Sequence, residues 1–192
     1  MRYFLSLGSN LGDRRENLSS ALRALEQSGV VVLKISSLYE TEPVGDREQP
    51  WFFNLVAEVS ASLDPEGMLG LIQTIERKLG RRPARHGAPR PIDIDILLAE
   101  DQIIQSERLM IPHPRLHQRN FVLRPLEEIS AETVHPLLGM KTRDLRRLAA
   151  DLSVVKKLRH PLKYVRFARK NPRKRDSKGK KVGRLTNFEE ET

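Results

Sequence analysis

The stretch Pro89-Arg90-Pro91-Ile92-Asp93-Ile94-Asp95-Ile96-Leu97-Leu98 sets two carboxylates two residues apart inside an isoleucine-rich run. Such a run, preceded by turn formers, reads as a strand. Side chains alternate along a strand, so Asp93 and Asp95 share one face and Ile92, Ile94 and Ile96 the other. Like charges on one strand face repel unless a cation lies between them. Mg²⁺ suits the pair, since it takes one or two carboxylates and leaves its other positions to water and phosphate. A bare Asp-x-Asp is more often a solvated strand face. Here, however, Arg81, Arg82, Arg85 and Arg90 stand directly before it, in a loop with Gly80, Pro83, Gly87 and Pro89. Guanidinium groups beside a carboxylate pair point to a polyphosphate ligand, because their planar fork matches phosphate oxygens.

That strand needs neighbours to hold it. Residues 2–8 read as a first strand and 9–12 as a turn. Asp13 and Glu16 read as a capping box for a helix over 14–27, whose Leu18, Ala21, Leu22 and Leu25 form one stripe. Gly29 ends it. Val30 to Tyr39 reads as a second strand. A loop follows over 40–50, with Pro43, Gly45 and Pro50. Trp51 to Ala61 reads as a third strand, with Phe53, Leu55, Ala57 and Val59 on one face and Phe52, Asn54, Val56 and Glu58 on the other. Asp64-Pro65 opens a second helix, striped by Met68, Leu71, Ile72, Ile75 and Leu79 and stopped at Gly80. After the Asp-x-Asp strand come a short edge strand at Ile103-Ile104, an irregular stretch over 105–120, and helices over 121–129 and 142–152. The order β-α-β-β-α-β is that of a ferredoxin-like α+β fold: an antiparallel sheet with both main helices on one face, here with additional C-terminal helices. Phe52, Asn54, Asp93 and Asp95 then share the open face. The loops 40–50 and 80–91 flank it and are expected to close over bound ligands.

Composition narrows the class. Apolar residues make up 39% of the 192-residue chain, enough for one core. There is no cysteine, which excludes disulfides and thiolate metal sites and makes a cytoplasmic location the default. No apolar run approaches a membrane span. The net charge of +9 is uneven: residues 1–155 carry 20 Lys/Arg against 21 Asp/Glu, and residues 156–192 carry 14 against 4. The division is therefore a near-neutral domain over 1–155 and a basic, disordered tail over 156–192. A weak, salt-sensitive contact of that tail with nucleic acid is the lesser reading. Its sparse aromatics (Tyr164, Phe167 and Phe188) give little to stack bases on.

Several short motifs run in one order: Gly8-Ser9-Asn10-Leu11-Gly12, Ser36-Ser37-Leu38-Tyr39-Glu40-Thr41, Gln49-Pro50 with Asn54, Pro89-Arg90 before Ile92-Asp93-Ile94-Asp95, Arg108-Leu109, Pro112-His113-Pro114, Arg119, and Phe121 to Pro125. Together they resemble the 6-hydroxymethyl-7,8-dihydropterin pyrophosphokinases of folate synthesis, over about residues 2–150. The resemblance implies a transferase that moves pyrophosphate from ATP to the pterin hydroxymethyl group and releases AMP, with two Mg²⁺ ions; a monomer acting on small molecules is the expectation, though the sequence itself leaves the oligomeric state open. It implies Asp93 and Asp95 as metal ligands, and Arg81 and Arg90 as catalytic residues. Thr41, Val44, Phe52, Asn54 and Phe121 would bind the pterin. Gln73, Glu76, Arg81, Arg90, Ile96, Arg108, His113 and Arg119 would line the nucleotide pocket. Either Arg82 or Arg85 stands for a second arginine of the loop. Glu42, Met110 and Pro114 depart from the family's frequent residues. Two other classes compete: a different Mg²⁺-dependent nucleotidyl- or phosphotransferase, and a ferredoxin-like RNA-binding module. Phe52, Asn54 and Phe121 favour a planar acceptor over the first. A carboxylate pair on the open face argues against the second.

Overall fold

A computed structural model describes residues 1–45, 48–82 and 87–164. Among these residues eight strands and four α-helices follow the chain as β1 (Arg2–Ser9), α1 (Arg14–Gln27), β2 (Val31–Ile35), β3 (Tyr39–Thr41), β4 (Phe52–Ser60), α2 (Pro65–Lys78), β5 (Asp93–Ala99), β6 (Ile104–Gln105), β7 (Met110–Ile111), α3 (Asn120–Ser130), α4 (Thr142–Leu148) and β8 (Val155–Lys157). The protein is α+β. Its main sheet runs β5-β1-β4-β3-β8, with β2 also on β4, and every pairing is antiparallel.

Local chemistry accounts for the two long helices. Asp13 caps α1 by accepting the Glu16 N–H at 3.0 Å. The reciprocal half of the capping box does not form, because the Glu16 carboxylate turns to Ser20 and Arg23. Asp64 caps α2 through the Gly67 N–H at 2.8 Å, with Pro65 at the first helical position. Gly80, at φ 91, lets the chain leave α2.

Both faces of the sheet are buried, each against different helices. Leu5, Leu7, Leu55, Ala57, Ile92, Ile94 and Ile96 join the stripes of α1 and α2 in the larger core. Phe4, Val56, Leu97 and Leu98 pack with Leu123 and Leu126 of α3 and Leu145 of α4. The expected open face is thus open only toward one end. A bulge in β5 feeds the second core. Leu5 faces Ile96 and Phe4 faces Leu98, so Leu97 is an extra residue. Leu97 and Leu98 both join the second core, while Ala99 returns to the first.

Several boundaries differ from the sequence reading. The strand expected over 30–39 breaks at Ser36, whose Oγ accepts the Val56 N–H at 3.0 Å, and resumes as β3. Ile104 pairs with Ile111 in a separate two-stranded ladder, not on the edge of the main sheet. The last helix stops at Leu148, where the chain turns extended toward β8. β8 itself crosses the boundary drawn at 155/156: Tyr39 pairs with Lys157 and Thr41 with Val155. Beyond it Leu162 is buried in the larger core, and Arg15 holds the carbonyls of His160 and Pro161. The expected disordered tail from residue 165 onward lies outside the described residues, as do parts of the two expected closing loops.

Candidate active site

At the open end of the sheet lies a cavity of about 520 Å³, walled by β1, β3, β4, β5, the start of α3 and the loops before β4 and β5. One end is charged. Asp93 and Asp95 both line it, as strand alternation requires. Arg81 Nη1 lies 2.7 Å from Asp93 Oδ1, and Arg90 Nη1 lies 3.1 Å from Asp93 Oδ2. His113, Arg115 and Arg119 close this end from the other side. Burial and the neighbouring Asp93 push the Asp95 carboxyl up to about 6, against the pull of Arg119, Arg81 and Arg90. Burial, Arg119 and Arg115 push His113 down to about 4. Its Nδ1 accepts the Arg115 backbone N–H at 3.1 Å, so the neutral ring carries its proton on Nε2.

Glu76 is fixed behind this end. It is 5% exposed, accepts the Ile94 N–H at 2.7 Å and pairs with Arg81. The carboxylate therefore ties α2 to the β5 backbone between the two aspartates and holds Arg81 toward Asp93. Burial raises its pKa against the opposing pull of Arg81.

The other end is flat and less charged. Phe52 and Phe121 line it together with Asn54, Thr41, Val44 and Gly8. Asn54 Nδ2 donates to Thr41 Oγ1 at 2.7 Å, and both residues are nearly fully buried. Gly8 faces Asn54 across the β1–β4 ladder. A Cβ there would fall 2.5 Å from Asn54 Oδ1, so glycine is the residue that leaves room for the amide.

The structure thus brings Arg81, Arg90, Asp93, Asp95, His113, Arg119, Thr41, Val44, Phe52, Asn54 and Phe121 into one lining. Gln73 lies exposed on α2, Arg108 is exposed in the turn between β6 and β7, and Ile96 sits in the core beside α1 and α2. These three, with Glu76, stand outside the lining. Arg82 is exposed and Arg85 lies outside the described residues, so the choice between them stays open. Sequence reasoning gave no role to Arg115, which lines the cavity. Nor did it give one to Asn10 as a hub. Asn10 Oδ1 accepts the Arg90 N–H at 2.7 Å, and its Nδ2 reaches Gln49 Oε1 and Pro50 O. Gln49 Nε2 then donates to Gly87 O at 2.9 Å. Both residues sat in quoted motifs, but only the fold brings the two loops together.

An α+β domain whose cavity joins a carboxylate pair and several guanidinium groups to an aromatic-and-amide end has the layout of a group-transfer enzyme. Residues 4–131 match the family described as 7,8-dihydro-6-hydroxymethylpterin-pyrophosphokinase (HPPK), and the chain belongs to that family. Among its relatives is the 2-amino-4-hydroxy-6-hydroxymethyldihydropteridine pyrophosphokinase of Bacillus subtilis, 46% identical over 66% of this chain and 76% of that protein. The protein of the same name from Haemophilus influenzae is 40% identical over 80% of this chain and 96% of its own length. The Folic acid synthesis protein fol1 of Pneumocystis carinii is 46% identical over 71% of this chain, which spans 18% of that longer protein. Among solved structures, an HPPK-DHPS of Plasmodium falciparum superposes with a TM-score of 0.62 at 19% identity, over 76% of this chain and 45% of that one. At that identity the likeness concerns the fold.

Proposed function

We propose that this chain transfers the β,γ-pyrophosphoryl group of ATP to the hydroxymethyl oxygen of 6-hydroxymethyl-7,8-dihydropterin, releasing AMP. The observation that carries the reading is the single cavity in which a carboxylate pair with arginines meets two phenyl rings and a fixed amide. The names of the relatives at 40–46% identity support the same substrates.

Each group has a part in the reaction. Phe52 and Phe121 stack the pterin ring, and Asn54 reads its polar edge from an orientation locked by Thr41 and Gly8. Arg81 and Arg90 hold the transferring phosphates and offset the charge that gathers on them. His113 donates from Nε2 to a phosphate or ribose oxygen. Arg119 neutralises charge on the departing AMP. Asp93 and Asp95 fit a divalent ion: they share a strand face and both line the cavity, and burial and the repulsion of Asp93, which a cation between the two would relieve, raise the Asp95 carboxyl. Among the described residues no cluster of three or more His, Cys, Asp or Glu forms an all-protein cage. That suits Mg²⁺, which keeps water and substrate oxygens in its shell. When bound, Mg²⁺ (two ions in our reading) would be held by Asp93 and Asp95 and would supply charge neutralisation and a more acidic acceptor hydroxyl.

Further readings belong to the same proposal. The βαββαβ core is ferredoxin-like, a reading that the order β5-β1-β4-β2 supports. The catalytic unit extends through about residue 164, followed by a basic tail. The protein acts as a cytoplasmic monomer on small molecules. Among the described residues no helix is long and apolar enough to cross a membrane. AMP formation from ATP that requires both Mg²⁺ and the hydroxymethyl-dihydropterin tests the function. ATP consumption indifferent to the pterin would point to another phosphotransferase.

A further inference from the structure

The residues just before β8 connect both walls of the acceptor end. Arg119 occupies the N-cap of α3, and its side chain makes no cap hydrogen bond. The first turn of that helix is held from elsewhere. Asp151 Oδ2 accepts the Asn120 N–H at 2.8 Å, and Asn120 Nδ2 donates to the Asp151 carbonyl. Asp151 Oδ1 accepts the Ser153 N–H at 2.9 Å, which bends the chain so that Val154 faces the acceptor loop. There the Glu42 N–H donates to Val154 O at 3.2 Å, and the Val154 N–H donates to Glu42 Oε2 at 3.1 Å. Arg124 Nη1 holds Val155 O at 2.8 Å, a second tie between α3 and this segment. One carboxylate thus stands between Phe121, one residue past Asn120, and Glu42, one residue past Thr41.

We propose that Asp151 is a positioning residue for the acceptor half of the site, fixing the Phe121 ring and the Thr41–Glu42 turn at their working separation. It lies beyond the segment, 4–131, that matches the family profile. It is not among the residues that line the cavity, and it acts as a side-chain cap supplied from 31 residues away. The backbone N–H groups of Ser153 and Asn120, with Arg119 nearby, hold its carboxyl below the usual range despite burial. The anion that accepts those N–H groups is therefore the stable form at neutral pH. The inference rests on the functional reading above, because it names which ligand loses affinity.

The test uses the full chain and five proteins: wild type, Asp151→Ala, Asp151→Asn, Phe121→Ala and the double variant of Asp151→Ala with Phe121→Ala. Each is titrated by fluorescence with the hydroxymethyl-dihydropterin and, separately, with a non-hydrolysable ATP analogue. Asp151→Ala is expected to weaken pterin binding roughly tenfold, the scale of losing a helix cap. Binding of the analogue, held at Arg81, Arg90 and His113, should change less than twofold. In the Phe121→Ala background the same substitution should cost less than in the wild type, since the part of its effect that runs through Phe121 is gone and only the part through the Thr41–Glu42 turn is left. Asp151→Asn keeps the shape but only one accepting oxygen, so its amide nitrogen faces one of the two N–H donors and it should recover only part of the affinity lost in Asp151→Ala. Equal loss for both ligands, equal loss in both backgrounds, or unchanged pterin binding in Asp151→Ala would overturn the inference alone. A wild-type protein that binds no pterin and forms no AMP would overturn the functional reading, and this inference with it.

Discussion

Gly8 and Asp95 show how much a single position decides here. The Gly8 Cα sits where any side chain would strike the Asn54 amide. Gly8→Ala should therefore displace Asn54 from Thr41 and weaken pterin binding by about 1–3 kcal/mol, in the range of overpacking a buried site. Pterin titration measures this, and unaltered affinity would mean that Asn54 swings clear and does not read the ring. Asp95→Ala should abolish AMP formation while leaving the thermal midpoint at pH 8 unchanged or higher, because burial already disfavours the charged carboxylate. Turnover near wild type would remove Asp95 from the metal pair. Much of this was legible in the sequence. Alternation paired Asp93 with Asp95 and Phe52 with Asn54, and the β-α-β-β-α-β order set both pairs on one face. Glu76 was less so: it stood among nucleotide-pocket residues, yet it faces the β5 backbone and Arg81 from behind.

Among the elements, the helices and long strands followed their caps and periodicity closely, because those signals lie within a few residues of each other. What escaped depends on partners far along the chain. β8 has three residues and no apolar pattern, and it exists because β3 offers it an edge. Nothing near Ser36 announces the break before β3. Its hydroxyl finds Val56 twenty residues on. The link from α2 to β5 is of the same kind and can be tested. Glu76→Ala leaves the Ile94 N–H buried without its acceptor and Arg81 without one of its two carboxylate partners. It should lower stability by about 1–3 kcal/mol, the cost of an unmet buried donor. It should also reduce the rate of AMP release more than it alters pterin affinity. Urea melts and steady-state kinetics separate the two effects. A stable variant with normal turnover would leave Glu76 without the holding role assigned to it.

For the molecule as a whole, the charged end of the cavity makes stability depend on pH in two opposed ways. Asp95, raised to about 6 from a usual 3.8, is protonated in the folded metal-free protein where the unfolded chain has lost the proton. Its contribution to stability falls as pH rises from about 4 to about 6. His113, lowered to about 4 from 6.5, stays neutral in the fold where the unfolded chain is protonated, so its contribution grows as pH rises from about 4 to about 6.5. Over this window the contributions of Asp95 and His113 therefore oppose each other. Asp95→Asn should become more stable with rising pH, and His113→Asn less stable. Denaturant melts at pH 4.5 and 6 give the two slopes, and slopes of the same sign would contradict the assignment. The β5 bulge bears on the same region. Without Leu97 the strand would alternate regularly through Ala99, and the sheet would lose no pairing to β1. Yet the carbonyl of Leu97 is what accepts the His113 N–H, at 2.9 Å. The extra residue acts like a spacer in a linkage: its side chain is anchored in the second core, and its carbonyl sets the distance at which the histidine is hung over the cavity. A deletion at that point would take a buried leucine from that core and alter the reach of His113, although every side chain lining the site would remain in the sequence.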